Sequence, residues 1–307
     1  MRRAGRNSPT GAPPKTLPTP TERSPGSVGY LAQNFNTPAV PKYPVPRAQL
    51  AAFLDAQTAR INVPGFIAAD PISVPHQFDD PADVEIMAFW TAMLAWGQRK
   101  TILNKAAELV ELMEGQPAAF IRTHTPADRR RFATFKHRTF QPVDTDYFLT
   151  WLQHHYRRHD SLETAFTAGM RPDDATVERG LRHFHEQFFS LPDAPQRTRK
   201  HVASPARKSS CKRLNMFLRW MVRRDTAGVD FGLWRRIRPD QLVMPLDVHV
   251  ERIARQLGLL ERRQTDWRAA VELTEQLRRF DATDPVKYDF ALFGIGVLEK
   301  TEGLPWN

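Results

Sequence analysis

Beyond residue 46, apolar residues recur at three- and four-residue intervals along most of the chain. The pattern is clearest over residues 47–60, 83–97, 101–114, 144–157, 175–190, 209–224, 247–258, 267–280 and 285–300, separated by breaks containing Pro, Asp or Gly. This spacing puts the apolar side chains on one face of a helix, so each segment is predicted to be helical and to bury that face. No set of alternating apolar and polar positions predicts a sheet. The expected fold class is therefore all-α, with one helical domain over residues 47–307. Residues 1–46 are rich in Pro, Gly, Ser and Thr and lack an apolar period, which predicts a disordered basic tail. The stretch SLPDAPQRTRKHVASPARKSS, residues 190–210, is the sharpest interruption within the domain and is predicted to be a mobile basic loop.

The 307 residues are 41% hydrophobic and 25% charged, a balance that can bury a substantial core. No apolar run is long enough for a membrane span, and the arginine-bearing N-terminus lacks the apolar core of a secretory signal. A cytoplasmic monomer with no membrane partner is expected. Cys211 is the single cysteine, which excludes a disulfide within the chain and an all-cysteine metal site, and no cofactor is expected. The net charge of +10 favours acidic partners. Between Arg197 and Arg238, thirteen Lys and Arg stand against Asp225 and Asp230, a local excess of +11. That excess fits either a solvated surface or a nucleic-acid face.

In CKRLNMFLRWMVRRD, Leu214, Phe217, Leu218 and Met221 form the apolar stripe of a helix. Lys212 then falls in the first turn, away from that stripe and in line with Met216, Arg219 and Arg223. A cation there opposes the helix macrodipole, a setting that favours the unprotonated amine a nucleophile requires. Simple membership of a basic surface is the plainer reading. In VMPLDVHVERIARQLGLL, Asp247 precedes Val250, Ile253, Ala254 and Leu257 on one helical face, and capping alone would account for it.

Two blocks carry a resemblance. PLDVHVERIARQLGL is similar to the Pro–apolar–Asp–x–His–x–x–Arg–apolar–Ala segment of helix-hairpin-helix DNA glycosylases, the superfamily of endonuclease III and 8-oxoguanine DNA glycosylase. KRLNMFLRWM resembles the helix that follows the hairpin in bifunctional members and opens with a lysine. The early pair in DVEIMAFWTAMLAWGQRKTILNKAAELV and the late helix in DPVKYDFALFGIGVLE look similar too. More narrowly, the KRLNMFLRWMVR and PLDVH blocks resemble an uncharacterised bacterial family labelled DUF2400. The superfamily resemblance implies two helical subdomains around a cleft, Lys212 as nucleophile and Asp247 as the catalytic aspartate. The sequence departs from the superfamily in two places. No Gly-containing hairpin precedes Lys212, and Lys212 and Asp247 stand 35 positions apart. Lys208, in ARKSS, is a rival nucleophile in a second register.

The function expected on this basis is a DNA-repair N-glycosylase with a possible lyase step, acting on duplex DNA that carries a damaged base. A non-catalytic nucleic-acid-binding protein of the same fold is the alternative, and a glycosidic-bond enzyme acting on RNA or free nucleosides is a third reading. Arg207, Lys208, Arg213 and Arg219 are the candidate phosphate contacts, and Gln98 is a candidate to fill the gap left by a flipped base. His154, His155, His159, His183 and His185 stand among arginines, and structural roles are expected for them. His249 lies about 200° around the helix from Asp247, and a structural role is expected there as well.

Overall fold

The computed structural model describes residues 46–302, with no side-chain description beyond residue 297. The tail predicted over residues 1–46 thus falls, but for Pro46, outside the described residues. Twelve α-helices follow in order: α1 (Arg47–Ile61), α2 (Pro64–Ile67), α3 (Pro81–Leu94), α4 (Arg99–Leu112), α5 (Pro117–Thr123), α6 (Pro142–Tyr156), α7 (Glu163–Thr167), α8 (Glu178–Phe188), α9 (Lys212–Val222), α10 (Val248–Gln256), α11 (Trp267–Arg278) and α12 (Tyr288–Glu302). Among the described residues there is no β-strand, only an isolated bridge between His137 and Phe140. The fold is all-α.

Helix α3 is the central strut. Asp80 starts it by accepting hydrogen bonds from the amides of Ala82 and Asp83, with Pro81 in the first turn. From Val84 to Leu94 every side chain is buried, so this helix is enclosed on all sides rather than on one face. Its one buried acid, Glu85, accepts from Tyr156 Oη, Ser161 Oγ (2.6 Å), Leu162 N (2.8 Å) and Trp234 Nε1 (2.5 Å). Four donors fill both oxygens, so Glu85 knits distant segments together and keeps no lone pair for chemistry.

Around α3 pack α4, α5 and α9, with α6 against α5 and α8 against α7. A second group forms where α12 packs on both α1 and α10, joining the two ends of the described chain. One hydrophobic core runs through both groups. A cleft opens between them. Arg219 of α9 lines its base, and Arg219 and Arg223, the residue after α9, make ion pairs there with a shared buried Asp230. Arg219 meets Asp230 (3.2 Å) and Asp289, while Arg223 meets Asp225 (2.6 Å), Asp230 (3.0 Å) and Asp284 (2.9 Å).

Residues 190–210, expected to form a mobile loop, are held through their middle. Thr198, His201, Val202 and Ser204 are buried. Asp144, at the start of α6, accepts from Thr198 Oγ1 (2.6 Å) and Arg197 (2.8 Å), with the His201 ring 3.4 Å away. Burial alone would raise the Asp144 pKa, but its bonds to His201, Thr198 and the Gln141 amide bring it below the usual carboxylate value. The composition of the segment signalled a loop, whereas its fixed course depends on a partner more than fifty residues away.

Candidate active site

Helix α9 begins abruptly. Cys211 adopts the left-handed conformation (φ 56°) and is buried, so the chain enters the helix through a sharp turn with no side-chain cap. Lys212 therefore occupies the first helical position, where free N–H groups already make the surroundings positive. Its Nζ lies 3.6 Å from Met216 Sδ, one turn along, and makes no ion pair among the described residues. Asn215, buried in the same turn, donates to Ser210 O (3.0 Å) and reaches Met244 O (3.5 Å). It thereby couples the start of α9 to the strand of chain leading into Asp247.

Helix α10 begins in the opposite manner. Asp247 Oδ1 accepts from the amides of His249 (2.9 Å) and Val250 (3.0 Å), a full N-cap. Its other oxygen, Oδ2, has no hydrogen-bond partner among the described residues and stays available. The residue is partly exposed and lines the cleft, as does Lys212. Asp247 thus caps its helix and also presents a carboxylate to the same space as the amine.

That space has a volume of about 620 Å³. Its apolar walls come from Phe66, Trp96, Met216 and Phe293, and its polar groups are Asp70, Arg99, Lys212, Arg219, Asp247 and Asp289. A cleft of this size, apolar-walled with a few polar groups, is of the kind that holds a small organic ligand. Asp289 is buried and paired with Arg219. Burial raises its pKa, the Arg219 cation opposes that rise, and the charge of nearby Asp247 adds to it, leaving Asp289 at about 6. Asp70 is also raised by burial, against the pull of the Ile72 amide and Arg219.

The sites expected from the sequence fall into three places. Lys212 and Asp247 come together at the cleft, from opposite helical groups. Arg207 and Lys208 are exposed and have no ion-pair partner among the described residues, while Gln98 is exposed at the rim between the lining residues Gly97 and Arg99. Lys208, the rival nucleophile, lies outside the cleft lining in a left-handed turn (φ 57°). Arg213 and Arg219, expected at phosphates, stand in the lining of the cleft and are engaged by neighbouring protein groups. Arg213 lies over the Trp96 ring (4.8 Å), donates to Met93 O, and is brought by burial to a pKa of about 10. Arg219 is enclosed between Asp230 and Asp289, with its guanidinium over Phe290. Both cations line the cleft and at the same time hold protein groups.

His249 does two things. Its Nδ1 lies 3.2 Å from Gly296 O, tying α10 to α12, and its ring lines the cleft. Gly296 is required for that approach, since a Cβ there would come within 2.9 Å of His249 Cβ. His155 and His185 bond backbone oxygens of Ser161 and Val202, at 3.0 and 2.9 Å. Asp70 and Asp289 went unnoticed as site residues in the sequence. Asp70 precedes a proline in ADPIS and looks like a turn residue, and Asp289 looks like a charge in a helix's first turn.

A family profile described as "Protein of unknown function (DUF2400)" matches residues 70–298. The match encloses Asp70, Lys212, Asp247 and Asp289. No curated protein and no solved structure matches the chain.

Proposed function

The chain belongs to the DUF2400 family, and from that premise and the chemistry of its cleft we propose that it is a DNA-repair N-glycosylase with an associated lyase step. The observation that carries this reading is that Lys212 and Asp247, from the starts of two different helices, line one concave site. A damaged nucleotide leaves the base stack and enters the cleft. The unprotonated Lys212 Nζ attacks C1′ of its sugar. The C1′–N bond breaks, its electron pair leaves with the base, and the base takes up a proton. Asp247 Oδ2 faces the positive charge that develops on the sugar and stabilises it. Loss of a proton from the bound nitrogen and opening of the sugar ring give an imine. Removal of a C2′ proton then expels the 3′ phosphate by β-elimination. Arg207 and Lys208 hold backbone phosphates, and Gln98, at the rim, occupies the gap left in the duplex.

Borohydride reduction in the presence of a panel of damaged duplexes tests the proposal directly. A covalent protein–DNA adduct is expected with wild type on at least one lesion and none with Lys212→Gln. An adduct that persists in Lys212→Gln places the nucleophile elsewhere, and binding to duplex without any adduct or base release on any lesion favours the non-catalytic reading.

A further inference from the structure

A second concavity, of about 450 Å³, lies beside the cleft and is lined by Thr101, Lys105, Lys136, His137, Arg138 and Gln141. No acid lines it. Lys105 has a partner in Glu108 (2.6 Å), but Lys136 and Arg138 are exposed and make no ion pair among the described residues. This differs from Arg219 and Arg223, which the buried Asp230 carboxylate neutralises.

The two concavities meet at Gly97. That glycine lines the first and has a φ of 102°, and a Cβ added to it would fall 2.6 Å from Arg138 Nη1. The Arg138 side chain therefore lies directly on the bare backbone at the cleft's edge. Beside it begins α4, whose N-cap residue Gln98 makes no side-chain cap. The amides of Arg99, Lys100 and Thr101 have no acceptor among the described residues. The segment holding Lys136 and Arg138 is fixed by His137, which is buried and donates from Nε2 to Trp96 O (3.1 Å).

From this arrangement we infer that Lys136 and Arg138, with the open N-terminus of α4, form a seat for a phosphodiester group of the nucleic-acid strand that runs past the cleft. Cations free of protein carboxylates, uncapped amides at the positive end of a helix, and contact with the cleft edge suit one negative group held next to a nucleotide in the cleft. The seat rests on the proposed action on DNA and adds to it. A free base or nucleoside brings no group to fill the seat, whereas a strand does.

The test is binding of full-length protein to a fluorescent duplex over a salt series, with wild type, Lys136→Gln/Arg138→Asn and Arg207→Ala/Lys208→Ala compared. Asparagine tolerates the left-handed backbone that Arg138 adopts (φ 55°), and circular dichroism verifies that each variant is folded. Loss of this one phosphate contact should reduce the slope of log affinity against log salt by about 1 in the first variant, for every sequence tested. An unchanged slope in that variant overturns the seat even if borohydride adducts form, in which case the glycosylase reading stands without it. A reduced slope with neither adduct nor base release on any lesion keeps the seat and removes the glycosylase reading. Inorganic phosphate that binds wild type in the absence of DNA, and not the variant, at concentrations that leave strand affinity unchanged, would also overturn the inference by making the seat a small-anion site.

Discussion

The helices that meet at the cleft start in opposite ways. Helix α10 has a satisfied start, with Asp247 accepting from two amides and Glu251 in its first turn, both of a sign that suits the macrodipole. Helix α9 has a frustrated start, with no side-chain cap, a left-handed Cys211 before it and the cation Lys212 at its first position. Local rules account for Asp247 completely and for Lys212 not at all. A residue that breaks a local rule draws attention to a site, while one that obeys it can carry chemistry unseen. The difference also assigns consequences, since Asp247 has a stability role to lose and Lys212 has little.

The largest expected effect comes from the frustrated end. Lys212→Gln should abolish the borohydride adduct entirely, because no amine remains to form the imine, while thermal stability should stay equal or rise slightly as an unfavourable charge leaves the first turn. A large fall in melting temperature with this substitution would show that Lys212 is structural and would remove the contrast.

Next in size is a change at the base of the cleft. Arg219→Leu leaves Asp230 and Asp289 buried without their shared cation, and a loss of about 3 to 5 kcal/mol is expected in urea unfolding. Near-neutral behaviour would mean that Arg223 alone holds Asp230 and that water reaches Asp289.

Asp247→Asn sharpens the comparison at the satisfied end. Asparagine caps about as well as aspartate, so stability should remain within about 1 kcal/mol. Turnover on a damaged duplex should nonetheless fall by about a hundredfold, since a charge that matters in the transition state has been lost. Asp247→Ala should add a loss of about 1 kcal/mol from the missing cap. Full turnover in Asp247→Asn would leave the aspartate with capping as its whole role.

These contrasts bear on what could be foreseen. Each helix predicted from apolar spacing is present, because burying one face is a local property of the sequence. The short helices α2, α5 and α7 were missed, since four to seven residues cannot display a period. At the site, Lys212 and Asp247 are legible through motif resemblance, but their place in one cleft depends on how the two groups of helices pack, which no window of sequence contains. The excess of +11 between Arg197 and Arg238 does not say which of its cations are paired, for a similar reason. Asp284 and Asp289, which neutralise Arg223 and Arg219, lie more than sixty residues further along the chain. The free cations are the ones that touch no such partner, and the sequence does not distinguish them.

The smallest effect concerns Asp289, which stands close enough to both helix starts to respond to each. Its charge interacts unfavourably with Asp247 and favourably with Lys212, and burial is the main reason its pKa rises to about 6. An aspartate whose folded pKa exceeds its unfolded value of 3.8 contributes proton-linked stability that is complete below the unfolded value and is lost as pH rises through the folded one. Between pH 4 and 6, then, the folded protein holds a proton at Asp289 that the unfolded chain has released. Buried histidines act in the reverse direction in an overlapping range, because burial lowers the pKa of His155 to about 4 and an unfolded histidine takes up protons more readily. Melting temperature alone therefore mixes the two. The gap between wild type and Asp289→Asn isolates the aspartate, since the histidines are common to both. That gap should narrow, in favour of the variant, by a few degrees as pH is raised from about 4.5 to 7. Introducing Asp247→Asn should reduce the pH dependence of the gap, because the charge that helps to raise Asp289 is gone, whereas Lys212→Gln should enlarge it. Equal pH dependence in all three backgrounds would mean that Asp289 responds to Arg219 and burial alone, and that the two helix starts are not electrically joined across the cleft.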